Sequence, residues 1–130
     1  MPARKTYIPL KGHKAIQTLF SEGESVKAYP LRLVYQSATV QTGHQRQLRI
    51  GVVASKRNFR RAVDRNFIKR RMREAVRLDK TSLDDWLAER CLSMDAMLLY
   101  TGRELPSHGD ISQAWSKLVR RFIAATDPQS

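Results

Sequence analysis

The stretch ASKRNFRRAVDRNFIKRRMREAVRL, residues 54–78, decides how the rest of the chain is read. It carries ten basic residues against two acids, Asp64 and Glu74, so a surplus of eight out of the chain's net +12 sits there. At about 100° per residue, Ile68, Met72, Ala75 and Val76 share one side of a helix, and Asn66, Lys69, Arg70, Arg73 and Arg77 gather on an arc of roughly 100° beside it. One face can pack and the other can meet an anion. Arg61 and Arg65 fall near the apolar side but in the first turn, where a helix often projects beyond the sheet it covers. The expectation is that their guanidinium groups are free at the edge of the core.

Cations on a helix are usually only a solvated face. An ordinary solvated helix, however, alternates Glu with Lys at i, i+4, whereas like charges at that spacing cost about 0.2–0.5 kcal/mol per pair. Here Arg61, Arg65, Lys69, Arg73 and Arg77 form a continuous ladder of like charge. A polyanion relieves that repulsion, and clustering on one face is the footprint of nucleic-acid contact. Eight of the ten cations are arginines, whose planar fork pairs bidentately with phosphate and stacks on bases. The candidate RNA-contacting residues are Lys56, Arg57, Arg60, Arg61, Arg65, Asn66, Lys69, Arg70, Arg73 and Arg77.

The remainder of the chain supplies a scaffold. At 130 residues and 15.0 kDa it is long enough for one core, and residues 1–130 are read as a single domain with short tails at about 1–6 and 126–130. With 42% hydrophobic and 28% charged residues the composition is that of a folded protein. A pI near 10.6 points to RNA, DNA or an anionic membrane surface as partner. No segment approaches the roughly 18 apolar residues of a spanning helix, and the N-terminus lacks the apolar run of a signal peptide. A soluble, cytoplasmic protein is expected. The lone Cys91 excludes an internal disulfide and any multi-cysteine metal site, and reads as a small buried hydrophobe.

Residues 11–22 read as an amphipathic helix with Ala15, Ile16, Leu19 and Phe20 at helical spacing, stopped by Gly23. Residues 26–40 alternate as a half-buried strand, with Pro30 marking a break or an edge position. A polar loop at 42–47 holds His44. Residues 48–55 form a second strand whose near-continuous hydrophobicity predicts a central position, with Gly51 either open to a close-approaching backbone or nucleotide or simply packed. Asn58 is the expected N-cap of the basic helix. Residues 81–92 read as a short acidic helix, 95–101 as a buried strand, 102–109 as a loop, and 110–125 as a last amphipathic helix. Lys117, Arg120 and Arg121 near its end suit the helix dipole as well as RNA. The order predicts an α+β fold of αβββαβα type, a two-layer sandwich with helices packed on a central, mostly antiparallel sheet.

At the basic stretch the chain resembles the bacterial ribonuclease P protein family. The residues that carry the resemblance are Ser55-Lys56, Ala62-Val63, Arg65-Asn66, Ile68-Lys69-Arg70 and Arg73-Glu74-Ala75, within a likeness running from about residue 7 to 124. The family's usual pattern has a second arginine directly after the Arg-Asn pair, where this chain has Phe67. The resemblance implies a left-handed strand–helix–strand crossover through the basic helix, against the general rule. It implies an accessory subunit of an endoribonuclease whose catalytic RNA carries the chemistry with Mg²⁺ at RNA phosphates. It also implies that a cleft beside the first helix takes the single-stranded 5′ leader of precursor tRNA, so that leader is removed and the mature 5′ end made. The positions that answer to that cleft here are Ile16, Phe20, Tyr35 and Ser55, with Tyr35 equally readable as plain core.

The residues themselves agree in lacking protein-borne chemistry. His13, His44 and His108 lie far apart, and no metal-ligand spacing, nucleophile motif or Gly-rich phosphate loop is present. No catalytic residue and no metal ligand is assigned to the protein. Partners are expected to be the catalytic RNA and precursor tRNA, with neither membrane nor DNA. The runner-up is a structural, ribosome-associated RNA-binding protein with no part in cleavage. A helix-turn-helix DNA binder is disfavoured because a strand precedes the basic helix, and Met72 and Ala75 make a poor membrane wedge.

Overall fold

The computed structural model describes residues 13–39, 48–78, 81–89 and 92–126. The loop at 42–47 with His44, Cys91, and the tails at 1–6 and 127–130 lie outside the described residues. The elements run α1 (His13–Glu22), β1 (Glu24–Ala28), β2 (Leu31–Thr39), β3 (Leu48–Ala54), α2 (Ala62–Leu78), α3 (Thr81–Glu89), β4 (Leu92–Tyr100) and α4 (His108–Thr126).

Pro30 does break the first extended segment, since Tyr29 and Pro30 form the turn of a β1–β2 hairpin. The sheet order is β1-β2-β4-β3, with β1–β2 and β2–β4 antiparallel and β3–β4 parallel. The parallel pair requires the crossover through α2 and α3. The expected central place for β3 is corrected: it lies at one edge of the four described strands, and β2 and β4 are central. Its hydrophobicity has another cause. Leu48, Ile50 and Ala54 are buried in the main core on one face and Val53 lies partly buried on the α1 face, and that burial does not depend on how many strands flank them.

The main core lies between the sheet and α2, α3 and α4. On α2 it takes Ile68, Met72, Ala75 and Val76, the four residues whose spacing predicted the packed face. Leu83, Trp86 and Leu87 of α3 join it, as do Ile111, Trp115, Leu118 and Phe122 of α4. Phe122 meets two rings in near-perpendicular, edge-to-face contacts, Tyr35 at 4.8 Å and Trp86 at 5.2 Å between centroids. These helices and the sheet are the two layers expected. α1 lies on the other face of the sheet, where Leu19 packs with Val34 and Met97, and Ile16, Val53 and Leu99 lie partly buried against them. Gly23 ends α1 where no side chain fits: a Cβ there would stand 2.5 Å from the Leu19 carbonyl oxygen and 2.8 Å from that of Tyr35. α4 begins two residues before the expected start because Ser107 caps it. The Ser107 Oγ accepts the Asp110 N–H at 3.1 Å, and an Asp110 carboxylate oxygen accepts the Ser107 N–H at 3.3 Å.

Candidate nucleic-acid interface

The basic helix divides into three lengthwise stripes. The packed stripe is the one described. On one flank Asn66, Arg70, Arg73 and Arg77 are exposed and Lys69 is half-buried. On the other flank the charges are internally engaged: the Arg71 guanidinium lies 5.0 Å over the Phe67 ring and its Nη1 reaches Glu74 at 3.5 Å. Phe67, at the position where the resemblance expects arginine, is therefore a packing residue that steadies Arg71.

The lead-in at residues 55–61 is held by contacts of its own. Phe59 is buried against Tyr100, with ring centroids 5.9 Å apart. The Phe59 N–H donates to the Ser55 carbonyl at 3.0 Å and the Arg57 N–H to the Ser55 Oγ at 3.0 Å. Asn58 is not the N-cap. Its Nδ2 donates to the Gly102 carbonyl at 3.4 Å, while Arg61 holds the cap position, its carbonyl accepting from Asp64 and Arg65 N–H at 3.2 Å each. The cause is that Phe59 must turn into the core, which delays the helix to Ala62.

Arg65 is a second correction. On the wheel it shares the packed side, but in the first turn there is no sheet beneath it. Its Nη1 folds back and donates to the carbonyls of Phe59 at 2.8 Å and Arg60 at 2.9 Å. It ties the lead-in to the helix and is not free. Lys56, Arg57, Arg60 and Arg61 remain exposed. Among the described residues ion pairs join Arg49 to Asp95 and Arg71 to Glu74, and none involves Lys56, Arg57, Arg60, Arg61, Lys69, Arg70, Arg73 or Arg77. Eight cations thus share one end and one flank of the helix without a described counter-charge.

The four expected cleft residues do not come together. Ile16 and Phe20 are on α1, Ile16 against the sheet and Phe20 47% exposed. Ser55 is half-buried just beyond β3, on the same alternation as Val53. Tyr35, however, is buried in the main core against Phe122, on the opposite face of the sheet from α1. The reason is the pleat: Leu31, Leu33 and Tyr35 alternate with Val34, and Val34 is the one beneath α1. Burial, with the Glu24 charge adding to it, raises the Tyr35 hydroxyl above its ordinary pKa of 10.0. Gly51 is also buried and presents no open backbone.

Two features escaped the sequence reading. Arg49 and Asp95 face each other across the parallel β3–β4 pair and form a bidentate bridge at 2.8 and 2.7 Å, which raises the Arg49 pKa chiefly through the hydrogen bonds to Asp95. Their opposite charges at polar positions of two strands were the available signal, but pairing them requires the register. The other is a groove bordered by Tyr29, Arg103, Lys117 and Arg120. Among the described residues no three His, Cys, Asp or Glu side chains gather into a metal-holding group, and no helix is long and apolar enough to cross a membrane.

The family model for Ribonuclease P matches residues 5–122. The chain belongs to the Ribonuclease P family. The ribonuclease P protein component of Porphyromonas gingivalis is 37% identical over 115 residues, covering 88% of this chain and 82% of that protein. That of Chlorobaculum tepidum is 40% identical over 87 residues, covering 66% of this chain and 53% of that one. The fold agrees with the solved ribonuclease P protein of Thermotoga maritima at a TM-score of 0.66 and 19% identity, over 87% of this chain and 96% of that one. The stretch from Ser55 to Ala75 that carries the family resemblance is the lead-in and all of α2 but its last three residues.

Proposed function

We propose that this chain, as the protein component of ribonuclease P, binds the catalytic RNA through the bare flank of α2 and its lead-in. The observation that carries this reading is the set of eight cations with no described counter-charge at the start and along one flank of α2. Lys56, Arg57, Arg60 and Arg61 at the helix start, with Lys69, Arg70, Arg73 and Arg77 along it, neutralise phosphates and release counterions. Asn66 adds a hydrogen-bonding group on the same flank. Arg65 holds the lead-in in place so that its neighbours are presented together.

The RNA carries the hydrolysis, and Mg²⁺ acts there. The protein's residues do not fit a magnesium site on this face, since its only acids are Asp64 and Glu74, and Glu74 is already paired with Arg71. By screening RNA phosphates, the protein lowers the Mg²⁺ the RNA needs. The 5′ leader of precursor tRNA lies along the α1 face of the sheet, where Phe20 offers an exposed ring for stacking beside Ile16, Val53 and Ser55. Such contacts are largely sequence-tolerant and favour the leader-bearing precursor over mature tRNA.

The test is cleavage of a 5′-leader precursor tRNA at low Mg²⁺ by a bacterial ribonuclease P RNA, with and without this protein. Cleavage only with both present supports the reading. Absence of stimulation despite tight RNA binding refutes it, and cleavage by the protein alone refutes the placement of the chemistry.

A further inference from the structure

A groove lies where the β1–β2 turn, the β4–α4 loop and the outer side of α4 meet. Its walls are fixed before any ligand arrives. The Thr101 N–H and Oγ1 both donate to the Pro30 carbonyl, at 2.7 and 3.0 Å, and clasp the turn to the loop. The Tyr100 hydroxyl donates to the Glu104 carbonyl at 2.6 Å, and Gly102 lies so close to that ring that a Cβ would stand 2.6 Å from its hydroxyl oxygen. Little chain is left to order on binding, which favours affinity.

Into this groove the chain projects a Tyr29 that is 77% exposed, with the exposed cations Arg103, Lys117 and Arg120 around it. A solvent-facing ring among cations is the pairing that holds single-stranded nucleic acid, with a base on the ring and phosphates on the cations. The opposing acids are Asp110, whose carboxylate is engaged in capping α4, and Glu104. The next cation on α4 behaves differently: Arg121 donates to the Lys27 carbonyl at 2.7 Å and is a brace for the sheet. The groove is also joined to the basic helix, because the Gly102 carbonyl accepts the Asn58 side chain of the lead-in.

We propose that this groove is a second single-stranded RNA site, in which Tyr29 stacks one base and Arg103, Lys117 and Arg120 take the neighbouring phosphates. It is linked to the α2 lead-in through the Asn58–Gly102 hydrogen bond, and it rests on the reading of this chain as an RNA-binding protein.

The experiment measures binding of a fluorescein-labelled oligouridylate of about 12 nucleotides to the full chain across a salt series. Tyr29→Ala weakens binding about 5- to 150-fold, the range of one lost base stack, and Tyr29→Phe restores it. Lys117→Ala with Arg120→Ala lowers the slope of log affinity against log salt by about 1.4, the worth of two phosphate contacts on a single strand. Glu104→Gln tightens binding, a gain that a misfolded variant does not give. Arg70→Ala with Arg73→Ala is the parallel arm. If the three groove variants bind like wild type while the helix variant loses affinity, the groove proposal is overturned and the helix reading stands. If neither set changes binding, both are overturned.

Discussion

Replacing Arg70 and Arg73 together by alanine separates a binding role from a structural one, because the two roles predict opposite signs. Both side chains are exposed, and neither forms a described ion pair. Arg73 sits four residues from Lys69 and from Arg77, so its removal relieves two like-charge pairs at about 0.2–0.5 kcal/mol each. Arg70 loses at most one favourable pairing of similar size, with a Glu74 that Arg71 already holds. Alanine is also the better helix former. Stability should therefore stay within about 0.5 kcal/mol of wild type or rise. RNA binding should move the other way: two lost phosphate contacts reduce the salt slope by about 1.4–1.8, so between about 50 and about 200 mM salt the wild-type affinity falls roughly 7- to 12-fold more than the variant's. Filter binding to a bacterial ribonuclease P RNA over that range, beside a urea melt of each protein, reads both quantities. An unchanged salt slope in a variant that melts like wild type removes this flank from the interface.

Arg65→Ala should behave differently. It breaks two hydrogen bonds to the Phe59 and Arg60 carbonyls and should cost about 1–2 kcal/mol in a urea melt, and a wild-type midpoint would show that the tether is unimportant. Phe67→Arg restores the arginine of the family pattern but places it within one turn of Arg70 and Arg71 and deprives Arg71 of its ring. It should lower stability by about 0.5–1 kcal/mol while steepening the RNA salt slope by up to about 0.9, and a stabilised variant would contradict the role given to the ring. The Tyr100 hydroxyl has its pKa raised above 10.0 by burial first and then by Tyr29, Asp110 and Glu104, and Tyr35 is raised likewise. The unfolded chain releases these protons first, so their contribution is intact below pH 10 and is lost as pH rises through the higher native values. Urea midpoints should fall more steeply above about pH 10 for wild type than for Tyr100→Phe, and equal slopes would refute the assignment.

The packed face of the basic helix was legible because one helix encodes it: the spacing of Ile68, Met72, Ala75 and Val76 needs no knowledge of what they touch. Tyr35 was not, because a period of two assigns residues to two faces without saying which layer covers each. The place of β3 failed for a related reason, since hydrophobicity reports burial above and below a strand and is silent on its neighbours to the side. Arg65 was misread because the wheel carries angle but not height. It lies at the angle of the core stripe, and only the turn forced by Phe59 puts two carbonyls within its reach. The Arg49–Asp95 bridge and the groove at Tyr29 each join segments far apart in sequence, and no local pattern encodes such a meeting.

A cationic ladder repels itself, so an isolated peptide of this sequence would fray at its first turn, where Arg60, Arg61 and Arg65 crowd together. The fold holds it by means other than charge neutralisation. Phe59 anchors the lead-in in the core, Asn58 ties it to Gly102, and Arg65 turns its own charge inward onto two carbonyls. Phe67 and Glu74 quiet Arg71 on the far flank. Each of these contacts spends an uncharged group or a residue off the bare flank, and none covers Lys69, Arg70, Arg73 or Arg77. The repulsion among those four is left standing in the free protein, so on the proposed reading a polyanion bound along this flank would relieve it, adding to binding rather than to the stability of the fold.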